Sequence, residues 1–515
     1  MSANITLGKS ISTVIKGFLK KDDTEYPFLY DNGKLDVFPP DSKLMVSLQS
    51  SFFEEINKPF QKGQVIPQLF IEGVTSTGKK IIFETSEHHS NNNGFLTYDI
   101  DSIYCYDETS TKYKPNNTND KTSLSKPEDI KSDADKIVKR IHNWDIVTNE
   151  IDGMVISGES IDLFFNPGYA FQLNNTWNEN GSLGALSISA LPPTEYDCGS
   201  IEYDGITLDL KVKAVATQHT FSAEPFSSKS SMIINFSKPV SIALVKEVRL
   251  SIEHVLSFLQ KRQNIELNET EIFCTNCGYK RIFGSFVIQK NATIQEIDNK
   301  KKKRLIDYII IKDCFSNLVL LSLQNKLYYE NIPKCTADWN VYGPDRIIFN
   351  FAAFDRISEL YYSETMRSQD FYDVRSLFFE ISKELQIKFG GKKKKAAKEI
   401  GNRILGLESS LQNRFVKIIK EHIGCIDVFM ELNYGKTWRT KIPSIGSRLN
   451  TIRNDIAHGH MDLHYDDNTI LDFETLEILL YAIWLRKAGL CDYNIKIAIE
   501  QLFHLGVLIE DKNNE

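Results

Sequence analysis

The sequence predicts a multidomain α+β protein, with an N-terminal β-sandwich or jelly-roll-like domain and a C-terminal all-α bundle. Three observations predict it. Up to about residue 265, short alternating runs such as GITLDLKVKAVATQ and SMIINFSKPVSIALV are separated by Gly, Pro, Asn and Asp clusters, the pattern of strands and turns. From about residue 345 onward the apolar residues recur at three and four, the period of helices. At 515 residues and 42% apolar content, the chain can bury two or three cores rather than one.

Residues 1–265 form the expected β-rich domain. Within it, DETSTKYKPNNTNDKTSLSKPEDIKSDAD (107–135) is rich in Ser, Thr, Asn, Lys and Pro, can bury little, and reads as a flexible insertion. NNTWNENGS is a shorter loop. An amphipathic helix closes the domain: in SIALVKEVRLSIEHVLSFLQ, Val245, Val248, Ile252, Val255 and Leu259 share one stripe. Residues 266–340 return to strand-like runs around a cysteine pair, a small β-rich, zinc-finger-like segment. Residues 341–515 are helical, with candidate helices near 348–366, 370–389, 392–408, 410–422, 443–458, 471–487 and 491–506. There is no internal repeat.

Composition excludes several classes. No charged leader followed by an apolar stretch opens the chain, and the best apolar runs, DYIIIKDCFSNLVLLSL and LEILLYAIWL, are short or interrupted by charge, so no membrane partner and a cytoplasmic location are expected. Eight cysteines over such a length do not make a disulfide framework. Only Cys274 and Cys277, in FCTNCGYKR, lie close together; their spacing and trailing glycine suit half of a structural zinc site. Two further ligands are needed, and Cys314 and Cys335 are single cysteines, so a hairpin without metal remains the alternative. No histidine stands near either thiol in sequence to make a nucleophile of it. The net charge of −7 argues against a chain coated in nucleic acid but leaves room for a local basic site.

The stretch RNDIAHGH, Arg453 to His460, carries the most chemistry. Ile442, Ile445, Leu449, Ile452 and Ile456 mark one apolar stripe of a helix that ends near Gly459, a suitable C′ residue. At about 100° per residue, Asn454 and His458 lie roughly 40° apart and point away from that stripe. Arg453 flanks the stripe and can reach the same side. Spacing alone proves little, because RLSIEH, Arg249 to His254, offers an arginine and a histidine as well. The asparagine directly after the arginine, the glycine after the histidine and the helical surroundings separate the two.

These residues resemble the motif of the HEPN superfamily, all-helical domains whose ribonucleases carry Arg-Asn-x-x-x-His near the end of a helix. RNDIAH followed by Gly matches it without departure. The arrangement of a larger β-rich part before a helical third is similar to the ApeA-like anti-phage proteins. The resemblance implies a metal-independent endoribonuclease that uses the RNA's own 2′-hydroxyl and needs no cofactor for catalysis. In the implied roles His458 moves a proton, Arg453 neutralises charge on the phosphate, and Asn454 positions a phosphate oxygen or the histidine. One helix supplies one acid/base, so a homodimer or higher homo-oligomer with facing motifs is implied. Further implied are cellular RNA as substrate, with transfer RNA the expected target, and a phage-derived trigger sensed by the N-terminal domain, which releases cleavage in an abortive response. A non-catalytic HEPN scaffold for dimerisation or RNA binding is the alternative.

The same stretch admits another chemistry. HGHMDLH, with His458, His460, Asp462 and His464, is one inserted leucine away from the His-x-His-x-Asp-His metal motif of metallo-β-lactamase-like hydrolases. That motif needs further ligands downstream, where His504 is the only histidine, and a strand rather than a helix leading in.

Charge gives RNA a place to bind. Residues 371–420 hold 12 Lys and Arg against 5 Asp and Glu, a local +7 within a chain of −7. It is concentrated at Lys392, Lys393, Lys394 and Lys395, with a second run at Lys300 to Arg304. Lysine runs are often only solvated faces, but a basic surface attracts phosphate by counterion release. No aromatic RNA-reading signature accompanies these, so phosphate attraction without base selection is expected.

Overall fold

The computed structural model describes residues 14–21, 24–31, 33–38, 69–85, 90–92, 95–106, 151–177, 183–219, 226–268, 270–276, 279–288, 300, 303–362, 369–405, 411–458 and 466–509. The expected insertion at 107–135 lies outside them. The chain divides into two compact units, Met1–Leu323 and Gln324–Glu515.

The first unit is a large antiparallel sheet. Strands β1 (Ile15–Lys21), β2 (Thr24–Asp31), β3 (Lys34–Val37), β4 (Leu69–Thr75), β5 (Lys80–Thr85), β6 (Ser90–Asn92), β7 (Phe95–Asp99) and β8 (Ser102–Tyr106) take the order β8-β5-β4-β1-β2-β3-β7-β6. This row curls round on itself. Phe28 of β2 meets Phe83 of β5 edge to face at 5.2 Å between ring centroids, although two strands lie between them in the ladder. At the far end the corner Ile100–Asp101 leads β7 straight into β8, with the Asp101 N–H donating to the Glu84 carbonyl at 2.8 Å. Tyr26, Tyr30, Leu35, Ile81, Leu96 and Ile103 fill the enclosed core.

The ladder continues through β9 (Ile151–Ser157), β12 (Thr194–Tyr203), β13 (Ile206–Gln218) and β14 (Phe226–Val240), while β10 (Phe171–Trp177) and β11 (Leu183–Ala190) pair separately. In β13 the period of two is plain: Ile206, Leu208, Leu210, Val212 and Ala214 are buried, and the residues between them are partly exposed. Helix α1 (Glu159–Phe164) follows β9, and α2 (Ile242–Gln260) follows β14. Ser241 caps α2, its hydroxyl accepting from the Leu244 N–H at 3.4 Å, and Val245, Val248, Ile252, Val255 and Leu259 are all buried, as their spacing requires.

Two features differ from the sequence reading. The cysteine hairpin, β15 (Thr270–Asn276) and β16 (Tyr279–Ile288), belongs to this sheet: β15 pairs with β9 and β16 with β8, so among the described residues fourteen strands form one ladder in place of separate facing sheets. The run DYIIIKDCFSNLVLLSL is helical, as α3 (Tyr308–Ile311) and α4 (Phe315–Leu323); a short apolar run spans too few turns for its period to tell helix from strand, and Ile309 stays exposed.

The second unit is helical: α5 (Pro344–Tyr362), α6 (Gln369–Lys388), α7 (Gly391–Leu405), α8 (Leu411–Glu421), α9 (Ile423–Tyr434), α10 (Trp438–Ala457), α11 (Asp467–Lys487) and α12 (Asp492–Phe503). Helix α11 is its axis, with every residue from Leu476 to Leu485 buried, so that all sides of the helix are covered there. Helices α6 and α7 form a hairpin joined by Ser382, whose hydroxyl donates to the Ala397 carbonyl at 2.6 Å. Helix α9 is absent from the sequence reading; only His422 separates it from α8, and Lys420, Glu421 and His422 with Gly424 read as the end of one helix, not as the joint between two. Among the described residues no helix is long and apolar enough to cross a membrane.

Candidate functional site

The motif lies where α10 ends. Trp438, Ile442, Ile445, Gly446 and Leu449 are buried, whereas Ile452 and Ile456, nearer the end, are only half-buried. Gly446 matters to this seat, since a Cβ there would come within 3.2 Å of the Gln412 carbonyl oxygen; its absence lets α10 approach α8 closely. The helix begins at Trp438 and runs through Pro443, earlier than the expected start. Arg448 pins its middle, with Nε and Nη2 at 2.6 and 2.8 Å from the two oxygens of the fully buried Asp472 on α11. Burial raises the Asp472 carboxyl pKa in spite of that guanidinium, and Tyr434 adds a hydroxyl donor at 2.8 Å.

The three motif residues follow. Asn454 and His458 are exposed, and His458 caps the helix with its own N–H donating to the Asn454 carbonyl at 2.9 Å. Arg453 is half-buried and fixed. Its Nη2 donates to Asp355 Oδ2 on α5 at 2.9 Å, while Asp355 Oδ1 accepts from Nη2 of Arg414 on α8 at 2.6 Å. One carboxylate thus ties two guanidiniums from α8 and α10 to α5. A guanidinium carries five N–H donors, so the pair with Asp355 orients Arg453 without exhausting it. Asp355 and Arg414 escape the sequence reading because Asp355 stands 98 positions from Arg453 and 59 from Arg414, and no local pattern marks them.

Arg249 in RLSIEH has another job. It is buried in α2 and pairs with Glu253 at 2.5 Å, and burial lowers the His254 pKa to about 4. This set belongs to the core of the sheet unit.

The other sequence candidates are placed as follows. Lys392, Lys393, Lys394 and Lys395 are all exposed in the first turn of α7, where the positive end of the helix dipole makes four cations unfavourable for the helix itself. Lys393 lies over the Phe389 ring at 5.7 Å. The α6–α7 hairpin packs principally on itself, so these lysines and the end of α10 are carried by different parts of the helical unit. Lys300 is exposed and Arg304 half-buried. Cys274 sits half-buried on β15 opposite Arg281 of β16, and Cys277 lies outside the described residues. Among the described residues no cluster of three His, Cys, Asp or Glu could hold a metal ion. Of HGHMDLH only His458 is described; His460, Asp462 and His464 are not.

No protein-family model, no curated protein and no solved structure matches the chain.

Proposed function

We propose that the helical unit is a HEPN-type bundle and that the chain is a metal-independent endoribonuclease whose site is built from Arg453, Asn454 and His458 of two protomers. The observation that carries the reading is the end of α10: an exposed imidazole and carboxamide one turn apart beside a guanidinium held by Asp355. In this reading the imidazole of one protomer takes the proton of an RNA 2′-hydroxyl, whose oxygen attacks the adjacent phosphorus. The bond to the 5′-oxygen breaks, and that oxygen takes a proton from a second acid, the partner's His458. Arg453 meets the charge that grows on the phosphate oxygens, and Asn454 donates to one of them. The products are a 2′,3′-cyclic phosphate and a 5′-hydroxyl.

Two further features support the reading. The exposed lysines of α7 cost the helix stability and serve a polyanion instead. On α6 the apolar Val374, Leu377, Phe378 and Ile381 are exposed at helical spacing, a stripe of the kind that helix pairing covers. Transfer RNA loops, with unpaired bases and accessible 2′-hydroxyls, are the proposed substrate. The sheet unit is the proposed sensor of a phage-derived trigger in an abortive response within the cytoplasm.

A scaffold reading has one observation in its favour: Arg453 already has a structural partner in Asp355. Mixed protomers decide between the readings. When His458→Ala protein is mixed with Arg453→Ala protein, every dimer carries a substitution in each of its halves, so the mixture should stay well below the wild-type rate. Full activity in the mixture counts against a site shared between protomers, and full activity of His458→Ala alone favours the scaffold.

A further inference from the structure

The sheet unit carries a second candidate site, independent of the ribonuclease reading. An open cup of about 610 Å³ is lined by Phe165, Tyr169, Tyr196 and Tyr308, with Asp197 and Asp313 among its lining residues. This volume is in the range of small-ligand sites. Phe165 ends α1, Tyr169 sits in the 3-10 turn Pro167–Ala170, Tyr196 lies on β12 and Tyr308 begins α3. Four separate elements therefore bring their rings to one place.

The rings form a floor and walls. Phe165 is 1% exposed and Tyr308 9%, and they meet at 4.9 Å with planes 89° apart. Tyr169 and Tyr196 are 41% and 38% exposed and stand 5.1 and 5.3 Å from Phe165. The turn that presents Tyr169 is held by Asn166, whose side-chain oxygen accepts from the Gly168 N–H at 2.8 Å. The strand that presents Tyr196 breaks register just after Asp197, and Asp197 Oδ1 accepts from the Gly199 N–H at 2.9 Å. Gly199 is required there, with φ +95 and Ser316 Oγ only 2.5 Å from where a Cβ would stand. The Tyr308 hydroxyl donates to the Asp197 carbonyl at 3.1 Å.

Shape and charge select the ligand. Tyr169 and Tyr196 pack at 6.4 Å between centroids with their planes 43° apart, so they are not the parallel faces that sandwich a flat base. Two carboxylates are set against one ammonium, that of Lys312, which lies 3.9 Å from Asp313 in an exposed and loose pair. Exposed ring faces attract a cation through their quadrupoles, and carboxylates add to that attraction. We infer that this cup binds an organic cation, with an ammonium or guanidinium group seated against the exposed Tyr169 and Tyr196, above the buried Phe165 and Tyr308, and balanced by Asp197 and Asp313.

The test is calorimetric titration of the full-length protein with choline and with 3,3-dimethyl-1-butanol, its uncharged isostere. Choline should bind, with the isostere about tenfold weaker or more, and Tyr169→Leu or Tyr196→Leu should each weaken choline by about two- to thirtyfold. Tyr196→Phe should retain binding, because the ring face and not the hydroxyl makes the contact. A short peptide with one central arginine distinguishes the source: binding of the peptide and not of choline assigns the cation to a polypeptide, and the reverse assigns it to a free small molecule. Equal affinity for the isostere, tighter binding of adenosine monophosphate than of any cation, binding indifferent to both leucine substitutions, or no binding of either cation overturns the inference. Both tyrosines are substantially exposed, so an unchanged thermal midpoint shows that each variant is folded.

Discussion

Asp355 and Arg453 are joined at 2.9 Å across two helices, and the other oxygen of the same carboxylate holds Arg414 at 2.6 Å. The motif arginine is therefore oriented by the fold itself. Asp355 is a positioning residue in the proposed site. Asp355→Asn should reduce RNA cleavage roughly 10- to 100-fold through kcat, with KM little changed, because it loosens a group that acts on the transition state. The pair with Arg453 is partly solvated, but Arg414 is buried and loses its carboxylate too, so a stability loss of about 1–3 kcal/mol is expected beside the kinetic effect. Asp355→Glu should restore part of the rate. A loss seen only in the melting midpoint, with kcat intact, would make the pair purely structural.

Replacing Lys392, Lys393, Lys394 and Lys395 together with Gln should weaken RNA binding without changing which sequences are cut. Affinity measured against salt should show a slope shallower by roughly 0.7 for each phosphate that these lysines no longer neutralise. The exposed α7 helix should keep its helicity, since the substitutions remove four cations from the positive end of its dipole. An unchanged salt slope would leave these lysines as solvent-facing charge only.

The stripe on α6 predicts self-association. Leu377→Asp and Phe378→Asp, on a face already exposed in the single chain, should leave the fold intact and shift the mass measured by light scattering toward the monomer. RNA cleavage should fall with it. A dimer that survives both substitutions pairs through another face.

His422 gives the helical unit a pH dependence. It is buried between α8 and α9; Arg486 donates to its Nδ1 at 3.3 Å, which leaves Nε2–H to donate to the Tyr362 hydroxyl at 2.7 Å. Burial, reinforced by the Arg486 and Lys487 charges, lowers its pKa to about 4 from the ordinary 6.5. The folded state thus keeps it neutral while the unfolded chain binds a proton below about 6.5. Its contribution is full above that value and is lost progressively as pH falls toward 4. The melting midpoint should drop between pH 7 and pH 5, and His422→Gln, less stable at pH 7, should show a smaller drop. Equal drops in the two proteins would refute the assignment.

How much of this was legible in the sequence follows from the range of each interaction. The outward placement of Asn454 and His458, the buried stripe of α2 and the alternation of β13 depend on local periodicity, which a sequence displays directly. Helix α9 was invisible because its apolar residues are not confined to one stripe and its junction with α8 is a single residue. The start of α10 was hidden by Pro443, a residue that usually stands in a first turn rather than beyond it. Asp355 and the aromatic cup were beyond reach for another reason: each is assembled from positions far apart in sequence, and no spacing rule links Phe165 to Tyr308 or Asp355 to Arg453.

In the proposed function Arg453, Asn454 and His458 cleave RNA without a metal. End-group analysis of RNA cut by the purified protein in EDTA tests it most directly. A metal-independent site leaves 2′,3′-cyclic phosphate and 5′-hydroxyl ends, formed at the same rate with or without chelator. The rate should fall by about 10²- to 10⁴-fold in His458→Ala at an unchanged melting midpoint. Ends bearing 3′-hydroxyl and 5′-phosphate, or cleavage abolished by EDTA and restored by a divalent metal, would contradict the proposal.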